Sequence, residues 1–366
     1  MKKNILVITL AVMVSFSGIT HAKNTSVTTE YQNLLLEDDN SVKQALLSEK
    51  MKPYSWTPHF KETSTFEEVM NYEGIKDFAK LIFPIKNKGD EKTQLRDLFK
   101  LMPLHHNVNP NETLESVEYL ANTTDWGLQA FYRIYPTDKS VDINGKVIEH
   151  KNVGVFYFRG KADAPYAVIV SGGYSYQSIL HEGFPLALEL IKKGYNVFVL
   201  SNSTLNITQS TRDLTQAINF IHKNAAILHV DPNSYSLWGY SQGAQAIVNL
   251  MHKVGRNSFI DKLEAKPNMN AFIYPLRYYV KANDVPSAFV IGEEDQIVNL
   301  TILKSAEADF KKLNLRSLFI TIPGYGHGFG LGASINVDDS PEWVNKITDF
   351  WKNNTANPIL KSFAGK

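Results

Sequence analysis

From about Gly127 onward, short runs rich in β-branched and aromatic residues alternate with longer runs of helical periodicity, and this alternation restricts the fold more than any other feature. Residues 128–135 and 153–158 flank a turn-rich stretch containing Asn144-Gly145 and read as an antiparallel strand pair. Further strands are predicted over 166–170, 196–200, 235–238, 271–274, 288–291 and 318–322. Between them, a helix is expected over 185–193, stopped by Gly194. Another is expected over 211–224, with Ser210 as N-cap, Asp213 three residues on, and Leu214, Ala217, Ile218 and Ile221 on one face. A last helix begins around Pro341-Glu342 and carries Phe350 and Trp351 near its end. Eight strands separated by helices predict an α/β fold, a mostly parallel eight-stranded sheet with helices on both faces. In such a sheet the chemistry belongs at the carboxyl ends of the strands.

Residues 23–125 have a different texture, with charges, helical pattern and few strand signals, so a mainly helical N-terminal extension (23–125) is expected to precede the sheet-bearing part (126–366). Within it Val69, Tyr72, Ile75, Phe78 and Leu81 recur at helical spacing over 67–81, interrupted by Gly74, and 93–101 reads as a second short helix. Lys2 and Lys3, the apolar run 5–18 and the small-residue site Thr20-His21-Ala22 read as a signal peptide over residues 1–22. The expectation is an exported protein, periplasmic or secreted, with no stable membrane insertion once residues 1–22 are removed.

Composition removes several chemistries. With no cysteine among 366 residues, disulfides, zinc–thiolate sites, iron–sulfur clusters and a thiol nucleophile are excluded. The balance of 38 Lys+Arg against 37 Asp+Glu offers nothing for nucleic-acid binding, so a small substrate is expected. His181-Glu182 lacks the second histidine of a zinc helix, and His105-His106 are adjacent and point in different directions, so no metal site is assigned. The Gly172-Gly173 loop lacks dinucleotide or phosphate-loop spacing, and no cofactor is implied.

Gly239-Tyr240-Ser241-Gln242-Gly243 lies between a predicted strand and a predicted helix. G-x-S-x-G in that position is a sharp strand-to-helix turn that presents a serine at a helix N-terminus. A serine hydroxyl needs a base to take its proton and an acid to orient that base. Asp295 follows the strand 288–291, and His327 follows 318–322 in a glycine-dense loop. Ser241, Asp295 and His327 are therefore the candidate nucleophile, acid and base, with Glu293 and Glu294 as alternative acids beside Asp295. An oxyanion would need amide donors: the Gln242 N–H, and one from Gly172, Gly173 or Tyr174 in the loop after strand 166–170. Tyr174 and Tyr240 are candidates for lining the substrate pocket.

Over roughly residues 70–352 the chain resembles the α/β-hydrolase superfamily. It is most similar to exported bacterial carboxylesterase-type proteins related to dienelactone hydrolases and carbohydrate-ester esterases. The matching stretches include Leu104-His105-His106, Phe156-Tyr157-Phe158-Arg159-Gly160, Ser171-Gly172-Gly173-Tyr174, His181-Glu182-Gly183-Phe184-Pro185 and His327-Gly328-Phe329-Gly330. The resemblance implies an α/β-hydrolase catalytic domain over 126–366 that cleaves a small-molecule ester through Ser241, Asp295 and His327. Ser171 replaces a glycine usual in relatives, and Ser201-Asn202 replaces a Tyr-Arg-like pair, which bears on pocket shape and substrate preference. A prolyl-oligopeptidase-like peptidase would need a large N-terminal propeller, for which about 100 residues are too few. A non-catalytic binding protein on the same scaffold would not need the intact serine, aspartate and histidine.

Overall fold

The computed structural model describes residues 57–141, 147–150, 152–173, 176–202, 206–255, 258–332 and 341–355. The apolar runs form eight strands: β1 Phe131–Arg133, β2 Gly154–Phe158, β3 Ala164–Val170, β4 Asn196–Ser201, β5 Val230–Tyr240, β6 Met269–Ile273, β7 Ser287–Gly292 and β8 Ser317–Ile322. They lie in one sheet, in the order β1-β2-β4-β3-β5-β6-β7-β8. Strand β2 is antiparallel to β1 and β4, and every other neighbouring pair is parallel. Every residue of β2, β4, β6 and β7 is buried, which is why these strands read as continuous apolar runs and not as alternating ones. A separate antiparallel pair, Lys139–Val141 with Val147–Glu149, stands between β1 and β2. The expected turn at Asn144-Gly145 lies outside the described residues.

The helices are α1 Phe66–Met70, α2 Pro110–Asp125, α3 Phe184–Lys192, α4 Ile207–Lys223, α5 Gln242–His252, α6 Leu300–Lys312 and α7 Glu342–Thr355. Helix α4 starts earlier than its pattern suggests, because the Asn206 side chain accepts from the Gln209 N–H at 3.1 Å. Ser210, expected as the cap, and Asp213 are thus buried inside the helix. The predicted helix over 67–81 is only α1 plus a 3₁₀ turn at Ala79–Leu81. Val69, Ile75 and Ala79 are all buried, so the apolar spacing marks a buried face that persists after the helix ends. Helix α2 went unpredicted, although Asn109 caps it with a 3.0 Å bond from the Asn111 N–H and Pro110 opens it.

The described part of the N-terminal extension shares one core with the sheet. Phe78 lies 5.8 Å from Phe131 and 5.7 Å from Phe156 between ring centroids, and Tyr119 of α2 stacks on Phe158 of β2. The signal peptide expected over 1–22 and the start of the extension lie outside the described residues. Among the described residues, no helix is long and apolar enough to cross a membrane.

Candidate active site

Strand β5 runs straight into α5 through Ser241. Its backbone sits at φ 47°, ψ −112°, a conformation that costs a non-glycine residue about 1–3 kcal/mol. The surroundings over-determine it. The Ser241 N–H donates to the Ile273 carbonyl at 2.9 Å, and a Cβ on Gly243 would stand 2.1 Å from the Val170 carbonyl oxygen, so only glycine lets α5 pass this close to β3. The G-x-S-x-G pattern is therefore steric in origin. It turns the serine side chain out at the carboxyl end of the central strand.

The loops after β7 and β8 bring Asp295 and His327 to the same edge. The Ser241 hydroxyl lies 2.9 Å from His327 Nε2, and His327 Nδ1 lies 2.9 Å from Asp295 Oδ2. The Asp295 carboxylate is fully buried, and its other oxygen accepts from the Ile297 and Val298 N–H groups at 2.9 and 2.8 Å. A carboxylate fixed in this way, with Oδ1 taken by two N–H groups and Oδ2 facing the ring, orients the imidazole with Nδ1–H toward Asp295, which leaves Nε2 as acceptor for the serine hydroxyl. Glu293 and Glu294, the other acids considered, are exposed, and their backbone N–H groups bond to Ile322 and Tyr325 carbonyls. It is Asp295 that meets the histidine.

The loop after β3 departs from expectation in two respects. The Gly172 N–H, one of the amides considered for an oxyanion, is already taken by Glu182 Oε2 at 2.6 Å. Gly173 is left as the described alternative: at φ 132°, with a would-be Cβ 1.8 Å from the Tyr176 carbonyl oxygen, its position admits no side chain. Tyr174 lies outside the described residues. Gln242 is the first residue of α5, as the elbow geometry requires. Tyr240, expected to line the pocket, has no exposed surface, and its ring packs beside Tyr274, 5.6 Å between centroids.

Glu182 was not among the residues expected to serve the site. This carboxylate is completely buried and accepts from the Gly172 N–H, the Ser178 hydroxyl and, at 2.6 Å, the Tyr274 hydroxyl, while His105 Nε2 stands 3.4 Å away. Burial alone would push its pKa up; hydrogen bonding and attraction from His105, with the Ser178 and Tyr274 bonds, outweigh that and hold it down to about 2. One signal for it was available. Glu182 is an acid at the head of the apolar run that becomes α3, and an acid there has to be paired. Among the described residues, no group of three His, Asp or Glu side chains is disposed to hold a metal ion.

Eight strands in this order, with β2 reversed, a serine elbow after β5, and an acid and a histidine after β7 and β8, decide the architecture. The chain has the α/β-hydrolase fold. No family model matches it. Among curated proteins it is similar to endo-1,4-beta-xylanase B of Butyrivibrio fibrisolvens, 36% identical over 90 residues. That stretch is 23% of this chain, and it covers only 14% of the xylanase. Among solved structures, MGS-M1, an alpha/beta hydrolase enzyme from a Medee basin deep-sea metagenome library, is 21% identical with a TM-score of 0.48, over 59% of this chain and 97% of that one. The propionate-bound Est2 esterase of Thermogutta terrifontis is 13% identical with a TM-score of 0.47, over 61% of this chain and 96% of that one. At such low similarity, the chemistry of this chain has to be argued from its own side chains.

Proposed function

We propose that this α/β-hydrolase is a serine esterase that cleaves carboxylic esters through an acyl-enzyme. The observation that carries the reading is the hydrogen-bonded chain Ser241–His327–Asp295 on a strained elbow. His327 Nε2 takes the Ser241 proton as Oγ attacks the ester carbonyl, and Asp295 stabilises the imidazolium that forms. The negative oxygen of the tetrahedral intermediate is received by the Gln242 and Gly173 N–H groups, the donors that the elbow and the Glu182-bound loop support best. Protonated His327 then gives its proton to the leaving alcohol. Water attacks the acyl-enzyme by the same route in reverse roles, releasing the acid and restoring the serine.

The substrate class proposed is a small soluble or carbohydrate-linked acyl ester. The near-neutral composition and the short match to a xylanase support it. The test is a panel of short aryl esters together with acetylated and feruloylated sugars, assayed on the protein lacking residues 1–22. Ester hydrolysis by the parent, with Ser241→Ala reduced to background and no longer labelled by an organophosphonate, is the expected outcome; full activity in Ser241→Ala removes the reading. Export is part of the same proposal, supported by the Lys2-Lys3 start, the apolar run 5–18 and Thr20-His21-Ala22. N-terminal sequencing of the mature protein should begin at Lys23, and an intact Met1 would count against export.

A further inference from the structure

We propose that Glu182 is the positioning residue of this site: its buried carboxylate ties the amide loop after β3 to the floor under His327 and to the N-terminal segment at His105. The inference rests on the serine-esterase reading.

Three sets of bonds meet at Glu182. On the loop side, the carboxylate accepts from the Gly172 N–H at 2.6 Å and from the Ser178 hydroxyl, while the Ser178 N–H closes back on the Gly172 carbonyl at 3.2 Å. Both ends of the turn carrying Gly173 are thereby fixed. The consequence for Gly173 is direct, because an ideal Cβ on Gly172 would lie 3.0 Å from Ser241 Cβ. The peptide whose N–H turns inward to Glu182 is thus the one packed on the nucleophile, and among the described residues the next N–H along, that of Gly173, is the loop amide that can serve an oxyanion.

On the floor side, Tyr274 donates its hydroxyl to Glu182 Oε1 at 2.6 Å, and its ring lies 4.7 Å from the His327 ring and 4.9 Å from Phe329. Tyr274 itself holds a positive φ of 37°, unusual for an aromatic residue, so the bonds it makes must offset the strain of its placement. On the third side, His105 faces Glu182 through Nε2 and bonds Tyr176 through Nδ1 at 2.9 Å. The neighbouring His106 N–H donates to the Gly328 carbonyl at 3.0 Å, one residue past the base. The segment around His105 therefore clamps the amide loop and the histidine loop at once, which gives the N-terminal extension a place in the site.

A carboxylate suits this hub and an amide does not. Each oxygen of Glu182 is used by donors, Oε2 by Gly172 and Ser178, Oε1 by Tyr274 and His105. Glutamine has the same shape but must turn an NH₂ toward one of the two pairs: toward Gly172 it sets donor against a fixed donor, and toward Tyr274 and His105 it forces the hydroxyl to stop donating and the imidazole to change tautomer. The loop or the tyrosine then has to move, and a shift of a few tenths of an ångström in an oxyanion donor is felt in the transition state and not in substrate binding.

The test uses Glu182→Gln and, because that change at a completely buried carboxylate risks misfolding, His105→Asn in the neighbouring clamp as a second variant. On an aryl acetate, Glu182→Gln should lower kcat at least tenfold with KM within threefold of the parent and an unchanged circular-dichroism spectrum. The Ki for an aryl trifluoromethyl ketone, whose serine adduct carries the oxyanion, should rise by the same factor as kcat/KM falls. His105→Asn should lower kcat about three- to tenfold in the same pattern. Glu182→Gln within twofold of the parent overturns the proposal, as does a loss of kcat/KM with no matching rise in Ki. If Glu182→Gln does not fold, His105→Asn decides, and a kcat within twofold of the parent overturns the proposal there. A parent protein with no esterase activity, or a fully active Ser241→Ala, instead removes the esterase reading, so the two failures are told apart.

Discussion

Tyr119 of α2 stacks on Phe158 of β2 with ring centroids 4.5 Å apart and planes 17° apart, and its hydroxyl accepts a 2.9 Å hydrogen bond from the Arg159 N–H. Both residues are buried, and this contact joins the N-terminal extension to an antiparallel strand near the sheet edge. Tyr119→Phe keeps the stack but leaves a buried N–H without its acceptor, and should cost about 1–3 kcal/mol. Tyr119→Ala also opens a cavity and should cost about 3–5 kcal/mol. Urea unfolding followed by tryptophan fluorescence measures both. Equal costs for the two variants would mean that the ring contributes nothing and that the two parts do not share a core.

The Asp295–His327 pair gives a second, sharper expectation. In Asp295→Asn the side-chain oxygen would stay with the Ile297 and Val298 N–H groups, which both donate to one carboxylate oxygen. The NH₂ would then face His327 Nδ1, forcing the imidazole to carry its proton on Nε2, where it can no longer accept from Ser241. We expect kcat for an aryl ester to fall roughly 10⁴-fold, the scale seen when this tautomer is reversed in serine proteases, with the fold intact. Loss of less than tenfold would mean that another group orients the histidine.

How far the sequence alone reached depended on distance along the chain. The strands were readable because they are apolar runs bounded by turn residues, and four of them, β2, β4, β6 and β7, are buried along their whole length, which leaves no polar alternation to confuse them. Ser241, Asp295 and His327 were readable because each sits just past a strand end, in a chain order that one sheet topology explains. The start of α4 was misplaced because Ser210 and Asn206 are both good caps; it is the Asn206 side chain that accepts from the Gln209 N–H, while Ser210 is buried within the helix. Glu182 could be read from the sequence only as an acid that needs a partner. Apart from Ser178, four positions back, its partners lie 10, 92 and 77 positions away, at Gly172, Tyr274 and His105, and no local pattern ties them together. His105-His106 looked inert because adjacent side chains diverge; they do diverge, one toward Glu182 and the other toward the His327 loop.

His181 makes the stability of the site depend on acid. It is buried, and its Nε2–H donates to the Gly328 carbonyl at 2.9 Å. Burial, with repulsion from His105 second, outweighs that bond and lowers its pKa to about 4. An unfolded histidine titrates near 6.5. Between those values the unfolded chain binds a proton that the folded one refuses, so this contribution is complete above about pH 6.5 and is lost as pH falls toward 4. His181→Gln should lower Tm at pH 8 by loosening the Gly328 loop, yet show a shallower fall in Tm between pH 7 and 4.5 than the parent. Parallel Tm–pH curves for the two proteins would assign the acid sensitivity elsewhere.

Gly173→Ala tests the amide loop without touching any charged group. The position combines a φ of 132°, which alanine strongly resists, with a would-be Cβ only 1.8 Å from the Tyr176 carbonyl oxygen. Either the turn opens or Tyr176 is pushed away, and Tyr176 is the partner of His105. In both cases the Gly173 N–H, proposed above as an oxyanion donor, shifts, while Ser241, His327 and Asp295 keep their own bonds. Removing one oxyanion donor costs about 10²–10³ in kcat, so a loss of that order is expected for ester hydrolysis, with KM little changed. The split between two readouts decides the cause. Hydrolysis should collapse while His327 still titrates as in the parent by NMR; a shifted His327 titration would mean that the substitution had damaged the histidine loop and not the amide donor.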